Sequence, residues 1–358
     1  MVKLFATLSK SVCVIMNNTT AVQAAENLQL GVLSSGGQGM SREQMCSIID
    51  EMLPSIKQLL VLNTASHAVI GTSLIMVYDA VGGTWQQSIS GVQTLFDGNP
   101  YKAILYDNDT LFMSKFGMDI LVDLRGGFSN LRTLEFKQPD DFFYDWQSSI
   151  VRLPGNTLLA LNGAVRTGYR AMRSTRPSHR ILDNGTWIEV SRSKLPRCQS
   201  CCVVLLSGDV LIAGGEPRHV FGTSNVCFIF HVASRRFTQT VSMMEKRLSC
   251  VGCLLNDGRV FVSGGMDLGR IRLRTCEIFN PAEMTWEDGG SMVHGRCRHA
   301  CQLMDDGRVF IVGGLTYGVY TTHGGECEMY DPATKTSTVA NGRMPHELYG
   351  ITIIPIFN

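Results

Sequence analysis

Leu206-Ser-Gly-Asp-Val-Leu-Ile-Ala-Gly-Gly215, Asn256-Asp-Gly-Arg-Val-Phe-Val-Ser-Gly-Gly265 and Asp305-Asp-Gly-Arg-Val-Phe-Ile-Val-Gly-Gly314 end 50 and then 49 residues apart. Self-similarity at such a period marks a chain built by repeating one supersecondary unit. In each copy a Gly-containing turn supplies the positive φ that joins two antiparallel strands, and the Val, Ile and Phe run that follows is a buried strand. The diglycine at its end marks a place where backbone passes too close for a side chain.

Reading outward, an arginine leads each copy, at Arg197, Arg247 and Arg296, ahead of a short apolar strand. Downstream of each diglycine a third strand closes on an aromatic and a turn: Cys227-Phe-Ile-Phe230, Glu277-Ile-Phe-Asn-Pro281 before Trp286, and Glu328-Met-Tyr-Asp-Pro332. The Asn-Pro and Asp-Pro corners make tight turns, and the following aromatic anchors an outer strand. Each unit therefore has four strands. Upstream the period survives while the letters fade. Gly117, Gly163 and Gly215 are 46 and 52 residues apart, Thr186-Trp187 keeps the closing turn, and Val77-Tyr-Asp79 to Thr84-Trp85 keeps a third and fourth strand.

These residues resemble the kelch family, whose repeat is a diglycine followed by a spaced Tyr and Trp. The resemblance is specific over residues 197–340, on Gly214, Gly215, Gly264, Gly265, Gly313, Gly314, Trp286 and Tyr330, and degenerate upstream, where Trp85 and Trp187 remain. It implies an all-β propeller, and the reading counts six blades over residues 56–358. His299-Ala300 aligns at an offset of 50 with Tyr349-Gly350, so the chain ends on one inner strand, while the first blade, near Ile56, lacks one. A C-terminal strand that completes the N-terminal blade removes an open sheet edge. Residues 1–55 form an extension in which Ser41-Arg-Glu-Gln44 resembles a capping box. Met45, Ile48, Ile49 and Met52 share one helical face up to Pro54. That helix either packs on the propeller or contacts a second partner.

Composition suits this reading. Of 358 residues 44% are hydrophobic and 18% charged, with 36 glycines, as in a turn-rich, largely buried β protein. A net charge of +1 points to neither nucleic acid nor membrane, and no apolar run approaches the ~18 residues of a span. Leu4 to Met16 is fairly apolar, but Lys10 interrupts it and no small-residue cleavage site follows, so a secretory leader is not expected. Ten of the twelve cysteines lie between Cys198 and Cys327, many inside apolar strands, which reads as reduced thiols of an intracellular, cytoplasmic protein. Cys198-x-x-Cys201 and Cys250-x-x-Cys253 are not read as a zinc site, because strand positions three apart face opposite sides and the knuckle glycine is missing. No cofactor is implied.

The resemblance also places the loops between second and third strands, and those entering each inner strand, around one mouth of the central channel. On them fall Arg166, Arg170, Arg173 and Arg176, then Arg218, then Arg270, Arg272 and Arg274, with Arg197, Arg247, Arg296, Arg298 and His299 at the rim. Residues 97–145 hold nine acids, so charge is segregated. Arginine forks suit bidentate capture of carboxylate or phosphate, and the favoured partner is a protein offering an acidic or phosphorylated segment. The plainer alternative is solvated loop charge, with some rim arginines bonding neighbouring blades. Nucleic acid is disfavoured because no aromatic platform accompanies the charges beyond Tyr169 and Trp187. From a different class, other kelch rings act on sugars as mutarotases, for which Glu216, Arg197 and His299 are the candidates. No catalytic motif is found. Copper radical oxidases of this family need flanking domains for which the chain has no room. No BTB-like or F-box-like region is recognisable.

Overall fold

The computed structural model describes residues 56–63, 75–79, 82–87, 102–107, 110–115, 118–123, 132–137, 142–143, 149–155, 157–165, 178–183, 185–192, 197–217, 222–316, 325–344 and 350–357. Within them the chain is all β. The expected helix over residues 41–54 lies outside the described residues.

Most strands fall into antiparallel groups of four; Phe142–Phe143 adds to the third, Arg197–Cys198 pairs with Glu216–Pro217 apart from them, and a parallel bridge between Ser291 and Thr336 joins the fifth to the sixth. The first group is Ile56–Asn63, Ile75–Asp79 and Thr84–Gln87, with Ile351–Phe357 on its open side. The second is Lys102–Leu105, Thr110–Lys115, Met118–Asp123 and Arg132–Lys137. The third is Ser149–Leu153, Thr157–Val165, Ser178–Asp183 and Thr186–Arg192. The fourth is Cys201–Val204, Val210–Ala213, Cys227–His231 and Arg236–Thr240. The fifth is Val251–Leu254, Val260–Ser263, Thr275–Asn280 and Thr285–Ser291. The sixth is Ala300–Leu303, Val309–Val312, Glu328–Asp331 and Thr336–Val339.

The leading strands of successive groups pack on one another from the second group to the sixth. Ile351–Phe357 then lies against both Ala300–Leu303 and Lys102–Leu105, so the succession of contacts closes. The same strand pairs with Ile56–Asn63 over Ile353↔Val61 and Ile354↔Leu60. Both termini of the described chain thus meet in one sheet, which satisfies backbone groups an isolated edge would leave open.

Between sheets the core is made by second and third strands, whose residues are buried on both faces. Val210–Ala213, Val260–Ser263 and Val309–Val312 are buried throughout. An aromatic on one second strand stacks on the third-strand tyrosine of the next sheet: Phe261 on Tyr330 with ring centroids 4.2 Å apart, and Phe310 on Tyr78 at 4.5 Å. The last pair joins the sixth sheet to the first. Tryptophan indoles add polar stitches in the same direction. Trp286 Nε1 donates to the Val241 carbonyl at 3.2 Å, Trp85 Nε1 to the Gly342 carbonyl at 3.1 Å, and Trp187 Nε1 to the Asp119 carboxylate at 2.6 Å. Each of these three reaches back to the preceding sheet, so a residue type expected as an outer-strand anchor also fastens neighbours together.

The diglycines show why no other residue serves. Gly214, Gly264 and Gly313 have φ of 68°, 56° and 67°, followed by 91°, 97° and 93° at Gly215, Gly265 and Gly314. A Cβ on Gly214 would stand 2.6 Å from the Arg247 carbonyl oxygen, and one on Gly264 would collide with the Arg296 carbonyl. The close approach is functional in the fold, because Gly215 and Gly265 donate their N–H groups to those same carbonyls, at 2.8 and 2.9 Å. The first two diglycines are thus sockets for the segments entering the next sheets.

Candidate functional site

The segments that enter the leading strands turn inward through residues in the left-handed region, Gln199, Ser249 and Arg298, with φ near 56° in all three, and Gly350 at 62°. Their backbones form a relay. Gly350 N donates to Arg298 O at 2.8 Å, Arg298 N to Ser249 O at 3.1 Å, and Ser249 N to Gln199 O at 2.9 Å. This identifies Gly350 as the counterpart of Arg298, an offset of 52 rather than the 50 read from sequence. Over the relay Ser249 Oγ and Gln199 Oε1 are 2.5 Å apart, and Arg298 Nη2 reaches Gln199 Oε1 at 3.5 Å.

Two of the expected rim arginines are not at any surface. Arg247 and Arg296 are fully buried, and this corrects their assignment to partner binding. Arg247 donates through Nε and Nη2 to Glu277 Oε1 at 3.1 and 3.0 Å, and through Nη1 to the carbonyls of Gly264 and Thr275 at 2.9 and 2.8 Å. Arg296 repeats most of the pattern one sheet on, with Glu328 at 2.6 Å and the carbonyls of Gly313 and Glu326 at 2.9 and 3.1 Å, while its buried Nε has no hydrogen-bond partner among the described residues. The carboxylates are occupied as well. Glu277 accepts the N–H groups of Met244 and Glu245 at 2.7 and 3.1 Å, and Glu328 those of Val293 and His294 at 2.7 and 3.1 Å. Hydrogen bonds to the other donors and acceptors offset the cost of burying an ion pair, and here they tie the entering segment to the third strand. Glu277 and Glu328 went unread in the sequence, although Cys276-Glu277 and Cys327-Glu328 recur at one repeat position. In the fourth sheet Phe228 takes that place, so the clamp is not built there.

His299 is also interior, at 3% exposure, with Nε2 2.8 Å from Ser263 Oγ. Burial, then Arg296, hold its pKa down to about 3. The ring is therefore neutral and buried, which corrects its expected place at an exposed rim. Cys201, Cys227, Cys250 and Cys276 are buried free thiols. Burial pushes Cys250 up to about 11 and Cys227, Cys276 and Cys327 up to about 12, so these thiols are held protonated in the fold. Among the described residues no group of three or more His, Cys, Asp or Glu could hold a metal ion.

Arg270, Arg274 and the hairpin that bears them remain at the surface. Arg298 and Arg272 are half-buried. Arg272 Nη1 lies 3.4 Å from the Arg270 carbonyl, and Arg298 and Arg272 pull against the burial that raises the Cys297 thiol. Arg197 pairs through its backbone with Pro217. Arg166, Arg170, Arg173, Arg176 and Arg218 lie outside the described residues.

A scan against protein families matches residues 247–293 to the Kelch motif. That stretch carries a kelch motif. The matched kelch repeat begins at the buried Arg247, spans the whole fifth sheet with its diglycine and Trp286, and ends at the segment that docks on Glu328. Protein interaction is the role typical of kelch repeats. A search of curated proteins finds no match. No helix of the described residues is long and apolar enough to cross a membrane.

Proposed function

We propose that the chain is a six-bladed kelch propeller serving as a protein-interaction module, which binds an acidic or phosphorylated segment of a partner on its arginine-bearing loop face. The observation that carries the reading is the exposed fifth-sheet loop. Residues 268–274 contain Arg270, Arg272 and Arg274 with no acid among them. The Asp267 carboxylate just before them is engaged, accepting the Ile271 N–H at 2.7 Å. Guanidinium forks carried on a hydrogen-bonded hairpin favour carboxylate or phosphate over a neutral ligand. Arg298, and from the sequence Arg166, Arg170, Arg173, Arg176, Arg218 and Arg197, extend the same cationic character around the mouth. Arg247, Arg296 and His299 take no part. Burial of His299 against Ser263 weighs against a sugar-transforming channel, which needs a titrating group within reach of the ligand.

The test is recovery of partners from lysate by wild type and by a variant with Arg166, Arg170, Arg173, Arg270 and Arg274 changed to Ser, read by mass spectrometry at two salt concentrations. A partner with an acidic segment should be lost from the variant and weakened by salt. Identical partners for both proteins at both salts would refute the reading.

A further inference from the structure

The fifth-sheet loop is a built hairpin rather than a slack connection. Met266 and Leu248 exchange backbone hydrogen bonds at 2.8 and 2.9 Å, Leu273 N donates to Gly265 O at 2.9 Å, and Arg296 N donates to Leu273 O at 3.1 Å. The foot of the hairpin is thereby fastened to the entering segments of two sheets. At its tip Arg270 N donates to Asp267 O and Asp267 N to Ile271 O, both at 3.1 Å, which makes a three-residue turn. The closing position of such a turn is left-handed and ordinarily glycine. Here it is Arg270, at φ 62°, although Gly269 stands one residue earlier. A local conformational cost is accepted to set a guanidinium at the apex.

Beside it stand two large apolar side chains turned to solvent, Leu268 at 71% and Ile271 at 46% exposure. Single exposed leucines are ordinary. Two on one hydrogen-bonded tip, interleaved with Arg270, Arg272 and Arg274 and with the Asp267 carboxylate engaged in the turn, form an apolar contact ringed by cations. A partner complementary to that tip needs one bulky apolar side chain to cover Leu268 and Ile271 and acids on either side to meet the arginines.

We propose that the 266–272 hairpin is the docking point for an extended partner segment in which a large apolar residue is flanked by aspartate, glutamate or phosphoserine. This rests on the reading that the loop face binds acidic segments, and adds the apolar anchor to it. The rigid foot limits the ordering cost on binding, so the tip presents its contact preformed.

The test is selection of a phage-displayed library of random twelve-residue peptides on wild type, on Leu268→Ser/Ile271→Ser, and on Arg270→Ser/Arg274→Ser. All four positions contact solvent, and unchanged thermal unfolding checks that the variants are folded. Wild type should enrich peptides with Leu, Ile, Met or Phe between acids, and synthetic copies should lose about tenfold in affinity when that residue becomes Ala. The serine pair at 268 and 271 should remove the apolar preference and leave the acidic one; the serine pair at 270 and 274 should remove the acidic one. Acidic peptides without an apolar preference, selected equally by wild type and Leu268→Ser/Ile271→Ser, would overturn the anchor and leave the acidic-segment reading standing. Enrichment of peptides that are not acidic, or of none, would overturn both.

Discussion

His299 illustrates how one buried ring couples the fold to pH. Its pKa falls from 6.5 to about 3 because burial and then Arg296 disfavour the imidazolium. The unfolded chain takes up this proton near pH 6.5, whereas the folded chain does not until about pH 3. The stabilisation is therefore fully present above pH 6.5 and is lost as pH falls from there towards 3, at roughly 1.4 kcal/mol per pH unit. Replacing His299 with Gln should flatten that part of the acid limb, measured as urea midpoints from pH 7 to pH 4. An unchanged slope would locate the acid sensitivity elsewhere. The orphaned Nδ1 of the same ring carries no partner among the described residues, which adds to the cost of burying it.

Within one sheet, the parts that matter most are the diglycine and the clamp it faces. Gly264→Ala would drive a methyl into the Arg296 carbonyl and force φ 56° on a residue that resists it. Gly155 also has positive φ, at 80°, but a Cβ there meets nothing within 4 Å. Gly155→Ala should cost about 1 kcal/mol, the conformational penalty alone, and Gly264→Ala at least about 2 kcal/mol more, from displacement of a hydrogen-bonded backbone. Thermal melts of the two variants separate these terms, and equal losses would show that the socket is looser than its geometry implies. Behind the socket, removing one member of a buried pair such as Arg296–Glu328 strands the other charge at a cost of about 3–5 kcal/mol.

Across the whole chain, closure joins Ile351–Phe357 to Ile56–Asn63 and Trp85 to Gly342. Deleting residues 350–358 should bare the edge of Ile56–Asn63 and remove the packing against Ala300–Leu303, giving oligomers or aggregates by size-exclusion chromatography. A monomeric deletion protein with unaltered melting would refute the structural role of that strand.

The repeat period, the Asp-Gly turns, the diglycines and the third-strand aromatics were legible in the chain itself, because each depends on local φ, short-range pairing or an alternation that a linear string records. The arginines were misread for a matching reason. Arg247 and Arg270 look alike in sequence, yet one lies within hydrogen-bond reach of Glu277, 30 residues away, and the other caps an exposed turn. Which charge finds a partner depends on strands brought together across the sheet. Composition and spacing carry no measure of that distance, so the burial of Arg247, Arg296 and His299, and the exposure of Leu268 and Ile271, emerged from tertiary packing alone.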